Sequence, residues 1–430
     1  MQKPQIDVRD KGFKDLPPLH DALAKVFEHI QPMDIESVHL RELSSYSVKI
    51  LAEDVKAIQS VPNFTKSLMD GFAIRSEDVS SASKSNPVKL QVVQELLIYQ
   101  TSDKILEKNH AIKIATGGVL PNGADAVVKI EDVIVYESSV PYTIEISEPI
   151  ESGRHLASKG EDYKEDDIVF EKGRLLSAVD IGVLLTLGIF YVKCFKVPKI
   201  GIVSTGDEVI DYERNLNYGE VYDSNSYVLV QYLTQLGFPA RRYTIIKDDF
   251  EIIKRQLLEL SKENDIIITT GGTSVGKRDF TPLILNDLSD VLVHGISIKP
   301  GSPTTFGIKE KKYFLGLPGF PVSSFISFAF FGIPIILFLL GTKKVGFLKV
   351  KAIMNEDYNS ITSRTDFLRV CLKTDNNATI AYPISVGGSS LLHTLSQSTG
   401  IVVIDDETEK ILKNDAVDVV ILDKLVNYFD

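Results

Sequence analysis

At 430 residues the chain exceeds what one hydrophobic core holds, so it divides into several domains. A formal net charge of -11 and a pI near 5.3 exclude the broad basic face that nucleic-acid binding needs, though not a local basic pocket for a small anion. The two cysteines, Cys194 and Cys371, are too far apart for a C-x-x-C and exclude a disulfide framework or a structural zinc site.

The N-terminus carries Lys3, Asp7, Arg9 and Asp10 and no apolar block, so it does not read as a signal peptide, and cytoplasm is the default location. After Pro17 and Pro18, the spacing of Leu23, Val26, Phe27 and Ile30 predicts a helix over 19–30. The stretch SLMDGFAIR at 67–75 sets an Asp70-Gly71 turn among apolar residues, which on its own reads as turn chemistry anchored to a core. Short apolar runs over 90–93, 111–114, 126–130 and 142–146, separated by Gly, Pro, Asn and Asp, predict a β-rich module. Gly160-Glu161-Asp162 lies in a charged loop, and 175–187 reads as a helix with Asp180 on its polar face and Gly188 at its end.

From Pro198 the rhythm becomes β-α-β. Strands are predicted over 199–204, 242–246, 266–268, 291–298 and 313–317, with helices over 224–236 and 250–260 and from Thr281. That alternation predicts a mostly parallel sheet covered by helices, with ligands beyond the carboxyl ends of the strands. Polar groups collect at those ends: Asp207 and Glu208, then Asp248 and Asp249, then the stretch DIIITTGGTSVGKRD at 265–279. In the last, a β-branched strand feeds a loop of Gly271, Gly272 and Gly276 with the hydroxyls of Thr273 and Ser274, and Asp279 follows. Such a loop cradles phosphate with inward backbone N–H groups. It is not a nucleotide P-loop, since Arg278 stands where Ser or Thr must hold Mg²⁺.

Two further Pro/Gly loops follow, with Lys299 in the first and Ser323 in the second, where each is either a plain surface or capping residue or an anion ligand. The apolar run 325–340 is shorter than a membrane span and holds Pro334, which reads as a buried helix and not a membrane segment. Beyond Gly341, short β runs predict a small C-terminal β-barrel with Arg364, Arg369 and a Gly387-Gly388-Ser389-Ser390 turn as its polar features. The domain division is therefore 1–197 (two interleaved modules, mixed and β-rich), 198–341 (the α/β domain) and 342–430 (the barrel), in an α/β multidomain fold.

Taken in order, SLMDGFAIR, ATGGVLPNGADAVV, the GED at 160–162, STGDE at 204–208, TTGGTSVGKRDF, IKPGSP and GLPGFPVS resemble the molybdopterin molybdenumtransferases, the family that includes MoeA and the E domain of gephyrin. The resemblance implies an enzyme of molybdenum cofactor biosynthesis that inserts molybdate into adenylylated molybdopterin and releases AMP, with Mg²⁺ or a similar divalent ion. It implies an elongated homodimer with the active site between subunits, and a partnership with a molybdopterin adenylyltransferase. By motif match, Gly271, Gly272, Thr273, Ser274 and Gly276 lie against the pterin–phosphate substrate. Asp248 and Asp279 hold the metal, and Asp70, Thr116, Asp162 and Glu208 line the same cleft as catalytic residues. Lys299, Ser302, Ser323, Arg369 and Ser389 surround molybdate. Two positions depart from the family pattern: Ser302 replaces a usual second Lys in the IKPGKP loop, and Phe320 replaces a usual Asn in GNPVS. An adenylyltransferase-like activity and a catalytically weak scaffold are the alternatives.

Overall fold

The computed structural model describes residues 16–42, 48–136, 139–271, 280–360, 363–375, 377–384 and 388–428. The chain forms two compact units. One comprises Asp54–Glu171 and Ala178–Phe190; the other comprises the residues up to Glu53, Lys172–Ser177, and the chain from Tyr191 onward.

The first unit is built on a six-stranded sheet, in the order Ala126–Lys129, Gly71–Ile74, His110–Ile114, Val88–Leu96, Tyr142–Ile146, Val133–Val135. Phe72, Ile74, Leu90, Val92 and Ile144 fill its core. Gly71 is required where it stands, because a Cβ there would lie 2.0 Å from the Val128 carbonyl oxygen of the paired strand. The helix of this unit is Ala178–Thr186. Asp180, expected on its polar face, is buried, because it lies four and seven residues before Leu184 and Leu187 and shares their inward stripe.

The second unit carries the predicted α/β sheet, in the order Ala240–Arg242, Ile200–Ser204, Ile266–Thr270, Lys312–Leu317, Thr305–Lys309, Asp290–His294. The first four strands run parallel, and the last two are added antiparallel. Side-chain alternation covers both faces. Ile266, Ile268, Leu315 and Leu317 face one core with Leu229 and Leu233, while Ile267, Val203 and Phe314 face another with Ile253, Leu257 and Leu285. The strand expected over 291–298 ends at His294, because Gly295 turns the chain at φ +83°. The strand expected over 242–246 instead occupies Ala240–Arg242.

The apolar segment is one helix, Pro321–Leu339, long and apolar enough by composition to cross a membrane but 78% buried within the protein, which makes it a core helix. Pro334 does not end it: a wider π turn over Phe328–Gly332 immediately precedes the proline and absorbs its missing N–H. The C-terminal strands Thr365–Asp375, Ala378–Pro383, Val345–Met354, Ala416–Asn427 and Gly400–Ile404 pair in that order, and the last returns to the first, closing a five-stranded barrel around Met354, Leu368, Val370 and Val419. The multidomain α/β fold with a C-terminal barrel is thus the observed one.

Candidate functional site

Three parallel strands of the second unit end together. Ser204 and Thr205, Thr270 and Gly271, and Pro318 all line one cavity of about 950 Å³. This is the crevice beyond the carboxyl ends where α/β sheets bind ligands. Gly271 opens the glycine loop at φ +104°, with its Cα so close to the neighbouring loop that a Cβ would stand 2.4 Å from the Thr205 carbonyl oxygen. The rest of that loop, with Gly272, Thr273, Ser274, Gly276 and Asp279, lies outside the described residues.

The opposite wall comes from the Lys299 loop and the barrel. The short strand Ile298–Lys299 pairs parallel with the first barrel strand, setting Lys299 beside Asp366. Lys299 Nζ lies 3.9 Å from Asp366 Oδ2, which also accepts a hydrogen bond from the Tyr358 hydroxyl at 2.9 Å. Three residues on, Arg369 is buried. Burial pushes its guanidinium pKa down, while Tyr358 and Asp366 pull it back up. Gly301, at φ +116°, turns the Lys299 loop, and its carbonyl accepts from Thr304 and Ser327 hydroxyls at 2.8 and 3.1 Å. Ser302 Oγ donates to the Ile298 carbonyl at 2.6 Å, so its proton serves the loop itself. The barrel turn is fastened to the core helix by the Val322 N–H, which donates to the Ser389 carbonyl at 3.1 Å.

Beneath the cavity floor lies a hydrogen-bonded network. Asp223 caps the helix Ser224–Gln235 and accepts from Ser204 Oγ at 2.7 Å and Ser226 N–H at 3.1 Å. Arg242 reaches it at 3.3 Å and also pairs with Asp211. Asn225 Nδ2 donates to the Gly319 carbonyl at 2.8 Å, tying this floor to the second Pro/Gly loop.

Of the expected site residues, Glu208, Gly271, Lys299, Ser302, Ser323, Arg369 and Ser389 line this one cavity. Ser323 stands inside the first helical turn, not at the cap, which is Phe320. Asp248 follows the sheet nearby, its N–H donating to Asp207 Oδ1 at 3.2 Å; neighbouring Asp249 caps the helix Phe250–Glu263. Asp70 and Thr116 meet in the other unit, where the Thr116 N–H and hydroxyl donate to Asp70 Oδ1 at 2.7 and 3.0 Å. These bonds hold the exposed Asp70 carboxyl below the usual carboxylate range. Asp162 stands in a separate exposed loop whose N–H is bound to the Val61 carbonyl at 3.0 Å. Tyr358, Asp366 and Asn225 carry no motif, and Arg364, legible only as a polar feature of the barrel, joins them in lining the cavity; the pairing of strands distant in sequence brings the barrel residues there.

Among the described residues, three buried polar atoms without a hydrogen-bond partner belong to this cavity's walls: Thr205 Oγ1, Asn225 Oδ1 and Arg369 Nε. Groups left unpaired at such a cost mark a place built for a polar ligand. The cationic wall and the glycine-loop strand end define a multidomain α/β protein with an anion-directed cavity at its parallel strand ends.

Known proteins with this arrangement agree. Residues 17–188 match the MoeA N-terminal region (domain I and II), 201–337 a probable molybdopterin binding domain, and 351–422 the MoeA C-terminal region (domain IV). A putative molybdopterin biosynthesis protein of Methanocaldococcus jannaschii is 35% identical over 96% of this chain and 100% of its own length. A molybdopterin molybdenumtransferase of Staphylococcus aureus is 31% identical over 94% of this chain and 95% of its own. The crystal structure of the molybdopterin biosynthesis MoeA protein from Pyrococcus horikoshii OT3 superposes with a TM-score of 0.80 at 31% identity, covering 94% of this chain and 100% of that one. The chain belongs to the MoeA family.

Proposed function

We propose that this chain is a molybdopterin molybdenumtransferase of molybdenum cofactor biosynthesis, inserting molybdate into adenylylated molybdopterin with release of AMP. The observation that carries the reading is the single cavity joining Lys299, Arg364 and Arg369 to the start of the glycine loop, in a chain whose three regions all match the family. Molybdate is a dianion, and the substrate brings a phosphoanhydride; cations and loop N–H groups suit both.

The substrate's own dithiolene sulfurs bind molybdenum, so no protein nucleophile is required. The chain's residues supply position and charge. Lys299 and Arg369 hold the oxyanion, Ser323 and Ser389 bound it, and the loop from Gly271 orients the pterin phosphate. Glu208, Asp70, Thr116 and Asp162 complete the cleft by placing water and substrate for cleavage of the anhydride.

A divalent ion such as Mg²⁺ fits the donor chemistry. The Asp248 N–H contact to Asp207 Oδ1 brings two acidic residues together. Mg²⁺ draws most of its shell from phosphate and water and needs few protein carboxylates. Asp248 and Asp279 would hold it, and when bound it neutralises the charge that develops on the phosphoanhydride.

The reading includes the division at 198 and 342, a cytoplasmic location, supply of substrate by an adenylyltransferase, and a homodimer in which the Asp70 unit of one subunit serves its partner's cavity. An adenylyltransferase alone would leave the matched N- and C-terminal regions without a task. AMP release from adenylylated molybdopterin, measured with and without molybdate, tests the function: release that ignores molybdate, or none, overturns it.

A further inference from the structure

Asp366 is out of place in a pocket for an anion. It lines the cationic wall, its side chain is only 4% exposed, and among the described residues it is the acidic group paired with Lys299, whose Nζ stands 3.9 Å away. Strand register imposes the meeting, because Lys299 and Asp366 are directly paired residues of the parallel ladder between the Lys299 loop and the barrel. The Tyr358 hydroxyl donates to the same Oδ2 at 2.9 Å, and Ser360 Oγ stands at 3.5 Å. A buried carboxylate without cations around it is costly, and so is a buried guanidinium without an anion. Arg369, whose Nε has no partner among the described residues, is near enough to feel the Asp366 charge.

We propose that Asp366 is a built-in counter-ion: it holds Lys299 and balances Arg369 while the oxyanion subsite is empty, and competes with the entering dianion for Lys299. The inference rests on the oxyanion reading of the cavity. It makes Asp366 a positioning and selectivity residue. A monoanion gains too little from Lys299 to displace it, whereas a tetrahedral dianion gains enough. Tyr358 tempers the competition, since its donated bond takes up part of the Asp366 charge.

The two partners therefore have effects of opposite sign, which general damage to the pocket cannot imitate. Binding of molybdate and of perchlorate, a tetrahedral monoanion, is measured by titration calorimetry on the full chain. Asp366→Asn keeps an acceptor for Tyr358 and removes the competing charge; molybdate is expected to bind about tenfold tighter, and perchlorate to gain clearly less. Tyr358→Phe leaves Asp366 undiluted, and molybdate is expected to bind about threefold weaker. In a Lys299→Met background the gain from Asp366→Asn disappears.

Asp366→Asn binding molybdate no tighter than wild type overturns the proposal, as does a gain that survives Lys299→Met. Should Asp366→Asn fail to fold, the two anions decide in Tyr358→Phe: molybdate is expected to lose more than perchlorate, and an equal loss, or unchanged or tighter molybdate binding, overturns it. The function is read separately: the expected ratios with no AMP release by the wild type would sink the transferase reading and leave the counter-ion standing.

Discussion

Thr116 donates twice to one oxygen of Asp70, from its backbone N–H at 2.7 Å and from its hydroxyl at 3.0 Å. The antiparallel register prepares this contact: Gly71 pairs with Ile114, so Asp70 falls opposite Ala115, and Thr116, one residue further on, is within reach of its carboxylate. The Asp70 carboxyl is held below its ordinary value by these bonds, first the backbone one and then the hydroxyl. A folded-state pKa below the unfolded one means the contribution is present above the unfolded value and lost as pH falls through the folded one. Thr116→Val removes one of the two donors. Its Asp70 resonance, followed by carboxyl NMR, is expected to titrate at higher pH than in the wild type. A titration curve that does not move would show the hydroxyl bond to be idle.

Ser302, standing where the family usually carries a second Lys, gives its proton to the Ile298 carbonyl at 2.6 Å, which leaves it a weak anion donor at most. Among the described residues, the cations on that wall are Lys299, Arg364 and Arg369. Ser302→Ala is therefore expected to leave the molybdate concentration for half-maximal AMP release within about twofold of wild type. Arg364→Ala is expected to raise it about tenfold, the loss of one charge-assisted hydrogen bond. If instead Ser302→Ala raises the requirement and Arg364→Ala does not, the serine is the ligand after all.

Gly271 joins the strand to the glycine loop at a φ that L side chains rarely adopt, with the Thr205 carbonyl 2.4 Å from where a Cβ would be. Alanine there must push the loop away from the strand end. We expect Gly271→Ala to lower the melting temperature, by about 1 °C per kcal/mol lost at this chain size, and to abolish AMP release. A variant that melts like the wild type would mean that the backbone relaxes freely at this point.

Much of this is legible in the amino-acid sequence itself. Short β-branched apolar runs such as 266–268 and the helical stretch over 250–260 report local geometry, and the glycine loop and strand-end acids mark where the cavity would lie. What escaped was whatever depends on non-local pairing. The antiparallel strand Thr305–Lys309 hides between Pro/Gly loops, and Asp180 follows its helix register inward despite its charge. The same holds for Asp366 and Tyr358. A single Asp in the run TDFLR and a Tyr eight residues earlier carry no local signature, and only the ladder between the Lys299 loop and the barrel brings them to the site.

Arg242 is the last such case, a strand-end residue that the sequence presents as one half of an unremarkable Arg-Arg pair. Its Nε donates to Ser226 Oγ at 2.8 Å, its guanidinium carbon lies 4.2 Å from the Tyr227 ring centroid, and it pairs with both Asp211 and Asp223. Asp223 in turn holds Ser204 on the cavity floor. Since the Asp223 side chain is 1% exposed, removing the arginine strands a carboxylate away from water. Arg242→Ala is expected to destabilise the protein by about 3–5 kcal/mol, the usual cost of breaking a buried pair from one side. Arg242→Lys keeps the charge but loses the planar fork and the ring contact, and should fall between alanine and wild type. Replacing Asp223 by Asn in the Arg242→Ala background removes the stranded charge, so part of the loss should return. Urea unfolding of the wild type, Arg242→Ala, Asp223→Asn and the double substitution measures the cycle. Strict additivity of the two substitutions would mean that the arginine and the aspartate do not act as a pair, and that the floor of the cavity is held by the Ser204 and Ser226 hydrogen bonds alone.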